Sequence, residues 1–296
     1  MTLRRMAPWM ICGVLAVAIL TGCDAVRQPA TIPEAGAKAA GTAASAPVAV
    51  SSPYLEAAVR DVLPKDVPLI RLAGPAMCPG HFDMRPSQIS DLAKCRLLVR
   101  FDFQQALDEK LGQRGGNSLP SLAVKVPGGM CEPESYASVC RQIADHFVSA
   151  GKLNQREADD RLAHVAQRAE SLKRTATQKI DAARLRDTPV LASRHQAAFC
   201  RWLGLRVAAT FSGSDTAGTR EIDQAVTAGE TAKVGIIIAN EPEGRKLADA
   251  LADRLHAKVV VFGNFPEPDQ EHAFDVLVQR NVAALLAVAS STAERP

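Results

Sequence analysis

Two histidines and two cysteines have types and spacings that invite chemistry. His81 lies in the loop CPGHFDMRPS, three residues after Cys78, and that C-x-x-H pair follows the second strand-like run of the chain. His195 stands at the end of another strand-like run and opens a helical pattern, while Cys131 lies in the loop PGGMCEPES. In open α/β sheets ligands gather beyond the carboxyl ends of strands, so side chains from such loops can share a divalent metal ion across a cleft. Thiolate and imidazole give soft to borderline character, favouring zinc over manganese, which prefers oxygen. A disulfide between Cys78 and Cys131 would close the same two loops instead. His146, His164, His256 and His272 fall within or at the edges of helical patterns and suit surface or capping roles. Cys95, Cys140 and Cys200 sit in or beside helices, where a free thiol serves as a small core residue.

The loops need a scaffold, and the apolar periodicity supplies one. Runs at 48–52, 67–72, 97–101 and 122–126 read as strands, interleaved with helices near 54–63, 87–94, 104–113 and 136–150. The pattern starts again after residue 187, with strands at 189–193, 207–211, 234–239 and 258–262 and helices near 195–203, 222–228, 244–255 and 272–289. Strands that alternate with helices imply parallel sheets covered on both faces. Between the two halves, residues 154–186 contain no Gly or Pro, and Ala158, Leu162, Val165, Ala169, Leu172, Ala176, Ile180 and Ala183 recur at spacings of three and four. That is one long amphipathic helix. The expected fold is therefore α/β: two lobes, each a small mostly parallel sheet flanked by helices, joined by one long rigid helix. The divisions are 48–152 for the first lobe, 153–187 for the helix and 188–296 for the second.

The first residues read as export machinery. Arg4 and Arg5 precede an apolar run to Leu20, and Leu20-Thr21-Gly22-Cys23 looks like a bacterial lipobox. Residues 1–22 are then a signal peptide, Cys23 the lipidated first residue of the mature chain, and the Ala-, Pro- and Thr-rich residues 23–47 a flexible tether. Asp24 resembles the signal that retains such lipoproteins on the periplasmic side of the inner membrane. Without Arg4 and Arg5 the 35 basic residues fall to 33 against 32 acidic ones, so no nucleic-acid footprint exists. Aromatic residues make up only 4%, too few for a protein that stacks sugars or haem. No P-loop, G-x-S-x-G elbow or G-x-G-x-x-G occurs, and Cys200 with His195 sits at i, i+5, where the side chains face apart. The chain reads as a binding protein, not an enzyme.

With its lipobox, paired α/β lobes, long helix and strand-end histidines, the sequence resembles the zinc/manganese-binding solute receptors of bacterial ABC importers. Pro79-Gly80-His81-Phe82 with Pro86-Ser87 is similar to that family's first histidine motif, and His195 to Phe199 with Leu203-Gly204-Leu205 to its third. The counterpart of the second motif is Pro127 to Pro133, with Gly128 at the histidine position, and the last acidic ligand falls near Gly263-Asn264. Either Cys78 and Cys131 replace these two ligands or the chain belongs to a divergent branch with a different cargo. The resemblance implies a monomeric, lipid-anchored receptor that carries Zn2+, or Mn2+ or another divalent ion, to an ABC permease through His81, His195, Cys78 and Cys131. The alternatives are the same scaffold with a non-metal or chelated solute, or a surface interaction lipoprotein with a degenerate site.

Overall fold

Short runs of Val, Ile, Leu and Ala become strands because both of their faces are covered by helices, so nothing polar is needed along them. The computed structural model describes residues 46–74, 85–112 and 119–293, with side chains left out at 110–112 and 290–293. The proposed leader, Cys23, Cys78 and His81 lie outside the described residues. Strands β1 (Val48–Val50), β2 (Leu69–Arg71), β3 (Leu97–Phe101) and β4 (Ser121–Val124) form one parallel sheet in the order β2-β1-β3-β4. Strands β5 (Pro189–Ser193), β6 (Arg206–Phe211), β7 (Ile236–Asn240) and β8 (Lys258–Phe262) form a second parallel sheet in the matching order β6-β5-β7-β8. The two-lobed α/β architecture read from the sequence is the one observed.

In the first lobe α1 (Pro53–Val62), α2 (Pro86–Leu92) and α4 (Pro133–Ser149) each begin on a proline, one to three residues before the periodic pattern shows itself. Proline suits the first helical position because its φ is preset and its missing N–H has no helical partner there. A short helix α3 (Ala106–Gly112) follows β3. The second lobe carries α6 (Ala197–Trp202), α7 (Thr219–Ala232) and α8 (Lys246–Leu255). Helix α6 starts after His195, not on it, and α7 is longer at both ends than its apolar pattern. The acidic residues Glu241 and Glu243 do not open α8: they lie in a separate 3-10 turn, and Gly244 (φ 72°) divides that turn from the helix.

The long helix α5 (Gln155–Ala182) buries Ala158, Val165, Leu172, Ala176 and Ile180 against α1, α4 and the last helix, α9 (Ala273–Ala293). Ala183 is exposed, because the helix has already ended. Arg184 turns into the left-handed region at φ 54° and donates to the Asp181 carbonyl, while the Leu185 N–H reaches back to Ile180 at 3.0 Å. This paired closure satisfies two orphan carbonyls and tucks Leu185 into the core.

Two features weld α5 to both lobes. The Arg168 guanidinium donates to both oxygens of Asp61 on α1, at 3.2 and 2.5 Å, and to Asp275 on α9 at 2.9 Å. The Tyr136 hydroxyl adds a donation to Asp61 at 2.7 Å. Beside this cluster Phe274 of α9 stacks on Tyr136 of α4, with centroids 3.9 Å apart, and meets Tyr54 of α1 edge-on at 6.0 Å. One continuous apolar core therefore runs from the first sheet to the second.

Burial pushes the Asp275 carboxyl above its usual range even though Arg168 pulls the other way, because one guanidinium is shared with Asp61. A raised carboxyl binds its proton more tightly when folded, so its share of stability is full in acid and is lost as pH rises through the folded pKa. Arg168→Met removes the guanidinium shared by two largely buried carboxylates, leaving Asp61 only the Tyr136 hydroxyl among its close hydrogen-bond donors, and a loss of about 2–4 kcal/mol at neutral pH is expected in urea unfolding. The deficit should shrink in acid as Asp275, whose carboxyl is already raised, protonates. A variant as stable as the parent, or one whose deficit grows in acid, would contradict this reading.

Candidate functional site

Strand order decides where the second lobe can hold a ligand. The chain leaves β5 toward β6 on one side and leaves β7 toward β8 on the other, so the crevice beyond β5 and β7 is the topological switch point. His195 occupies the turn after β5 and Glu243 ends the 3-10 turn after β7. Their side chains meet: Nε2 of His195 is 3.6 Å from Oε1 of Glu243. Ser193, the last residue of β5, orders the pair by accepting the His195 N–H at 3.3 Å and donating its hydroxyl to the other Glu243 oxygen at 2.5 Å. The imidazole is 56% exposed and the carboxylate 20%, so one face of the pair stays open to solvent. A neutral imidazole nitrogen beside a carboxylate oxygen makes a mixed donor set for a divalent cation. Glu243 is the functional candidate the sequence reading missed. In the sequence its only signal is its place just after a strand end.

At the equivalent crevice of the first lobe, beyond β1 and β3, neutral groups bond one another. Ser51 donates its hydroxyl to Oε1 of Gln104 at 2.6 Å, and the Phe101 N–H donates to the same oxygen at 2.9 Å. Among the described residues, no three His, Cys, Asp or Glu side chains converge into a metal cluster. A cavity of about 970 Å³ lies elsewhere, between α1, α5 and the loop before α9. Asp61, Arg168 and His272 line it, but His195 and Glu243 do not, and its opposed charges largely pair with one another.

Cys131 has found a different partner. The thiol is 1% exposed, donates to the Gly263 carbonyl at 3.3 Å and receives the Asn281 amide at 3.7 Å. Burial, reinforced by the Glu132 carboxylate, pushes the thiol up to about 12. Cys131 is a free thiol, as are Cys95, Cys140 and Cys200.

The glycines before Cys131 answer to close approach. A side chain at Gly128 would strike the Glu132 carboxylate and the Ser135 hydroxyl, and one at Gly129 would come within 2.9 Å of Ala198 on α6. Asn264, near the expected acidic position, is 7% exposed and faces Gln196 at 3.5 Å and the Met130 sulfur at 3.8 Å.

Two parallel α/β lobes welded along one long helix, with a strand-end histidine at a switch point, define a helix-bridged solute-binding receptor. The family model for the zinc-uptake complex component A, periplasmic, matches residues 48–288. The chain belongs to that family, one of solute receptors and not of enzymes. Solved structures agree on the fold. The periplasmic zinc-binding protein TroA from Treponema pallidum is 16% identical, with a TM-score of 0.67 over 82% of this chain and 98% of that one. FpvC from Pseudomonas aeruginosa, solved with Ni2+, is 12% identical, with a TM-score of 0.70 over 84% and 98%. The laminin-binding protein of Streptococcus agalactiae, described as an adhesin with metal-transporting activity, is 15% identical, with a TM-score of 0.65 over 82% and 98%. No curated protein sequence matches the chain.

Thiol labelling separates the two roles of Cys131. At pH 8 the buried thiols Cys131, Cys140 and Cys200 should stay unmodified in the native protein and react only after unfolding, as peptide mapping by mass spectrometry would register. Rapid native labelling of Cys131 would mean that its thiol faces the cleft.

Proposed function

We propose that the chain is the extracytoplasmic receptor of an ABC importer for a divalent transition metal, with zinc as the principal cargo. The observation that carries this reading is the His195–Glu243 pair at 3.6 Å on the switch point of the second sheet. His195 and Glu243 contribute one nitrogen and one oxygen ligand. His81 and Cys78, in the loop after β2, complete the set from the first lobe. Cys131 is left out, because its thiol is buried and bonded to the Gly263 carbonyl at the lobe junction. Family membership and the metal-bound neighbours support the cargo class, and the lipobox-like Leu20 to Cys23 supports an anchor at Cys23 on the periplasmic side of the inner membrane.

Capture needs no catalysis. The histidines bind as neutral imidazoles, so cargo competes with protons and affinity falls on acidification. Glu243 adds a negative charge that offsets part of the cost of stripping water from the ion. A mixed nitrogen, oxygen and sulfur set suits zinc while leaving nickel and manganese as competitors.

Metal analysis of the mildly purified protein should return close to one zinc per chain. In competition titrations His195→Ala should weaken zinc binding by at least about 100-fold, and Glu243→Gln by about 10-fold, while both variants fold. A protein without metal, and a His195→Ala variant with unchanged affinity, would sink this assignment.

A further inference from the structure

We infer that Gln196 is a positioning residue: it holds the His195 turn on the ends of β7 and β8, at the Gly263–Asn264 edge where the first lobe docks, before any cargo arrives. Only the affinity readout below rests on the metal-capture reading.

Gln196 follows His195 directly, caps the start of α6 and is fully buried. Its amide nitrogen faces three acceptors: Oδ1 of Asn240 at 2.9 Å, the Gly263 carbonyl at 3.3 Å and Oδ1 of Asn264 at 3.5 Å. One side chain thereby ties the turn after β5 to the ends of β7 and β8. The Gly263 carbonyl is the shared node. It also accepts the Cys131 thiol from the first lobe at 3.3 Å and the Asn281 amide at 2.9 Å, and the Gly263 N–H returns to Asn281 at 2.8 Å. Asn264 reaches the first lobe as well, through the Met130 sulfur.

Four carboxamides and a thiol, each at most 7% exposed, are costly to bury, the more so because Oε1 of Gln196 has no hydrogen-bond partner among the described residues, and apolar residues would fill the same space without that cost. Their use here is directional. None carries a charge, so the clamp holds in the absence of a cation. Gly129 lets the first-lobe loop approach this close, since any side chain there would meet Ala198. The far end of α6 is pinned too, because the Trp202 indole N–H donates to Glu134 on α4 at 2.9 Å. Helix α6, which starts two residues after His195, therefore touches the first lobe at both ends.

Trp202 provides the test. The chain has two tryptophans, and Trp9 falls in the proposed signal peptide, so protein expressed from Cys23 onward carries Trp202 as its sole indole, at the lobe junction. In that form metal-free Gln196→Ala should show red-shifted emission and stronger acrylamide quenching, with zinc affinity reduced about 10- to 100-fold. Gln196→Glu keeps the shape but sets an acceptor against three acceptors, so it should behave alike and serves if the alanine variant fails to fold. Cys131→Ser retains a donor for Gly263 and should leave both readouts near the parent. Val278→Ala, a core change on α9, should lower stability without lowering affinity. Parental emission and affinity in both Gln196 variants, or an equal affinity loss in Val278→Ala, would overturn the inference. If the parent binds no zinc, the metal reading fails by itself, and the metal-free emission still decides whether the clamp exists.

Discussion

The placement of the two lobes depends on a shared cation. Arg168 lies midway along α5, and its guanidinium bonds both Asp61 of the first lobe and Asp275 of the helix that closes the second. Alone, α5 is a weak element, because over its 28 residues the buried stripe is only two alanines with one Val, one Leu and one Ile, and a stripe so thin removes little apolar area from water. Its position is fixed by what crosses it. Tyr136 and Phe274 stack beside the ion cluster, so an aromatic core and a charge network hold the same three helices. A sliding motion of α9 over α1 would break both at once.

That constraint shapes how the cleft works. With α5 pinned along one side and the Gln196–Gly263–Cys131 network at the strand ends, the lobes meet at well-separated contacts. The His195–Glu243 pair sits on a turn whose backbone is bonded at Ser193 and whose neighbouring side chain is buried in the network. The two proposed donors of the second lobe are thus held on rigid strand ends, an arrangement that lowers the ordering cost of binding.

The sequence made the strands and the strut legible for plain physical reasons. Parallel strands covered by helices leave runs rich in Val, Ile, Leu and Ala, and the eight strands among the described residues were visible from such runs even where Arg71 and Arg100 interrupt them. The long helix showed its period because no Gly or Pro breaks it. Its end was not visible, because the left-handed closing residues of α5, α7 and α8 are Arg184, Lys233 and His256, where glycine would have marked the stop. The starts of α1, α2 and α4 fell late because proline breaks the apolar pattern while still beginning a helix. At the site, His195 was readable from its place after a strand. Glu243 was not, since its role depends on β7 lying next to β5, which only the sheet order reveals. Cys131 shows the same limit, because only three-dimensional neighbours reveal that its thiol donates to a carbonyl of the other lobe.

Small-angle X-ray scattering of the mature protein, recorded with and without zinc, addresses the pinned arrangement most directly. Lobes fixed by Arg168 and by the Gln196 network should give superimposable curves and an unchanged radius of gyration when zinc binds. A clear compaction on binding would show that the lobes swing freely, and the welded arrangement would then be wrong.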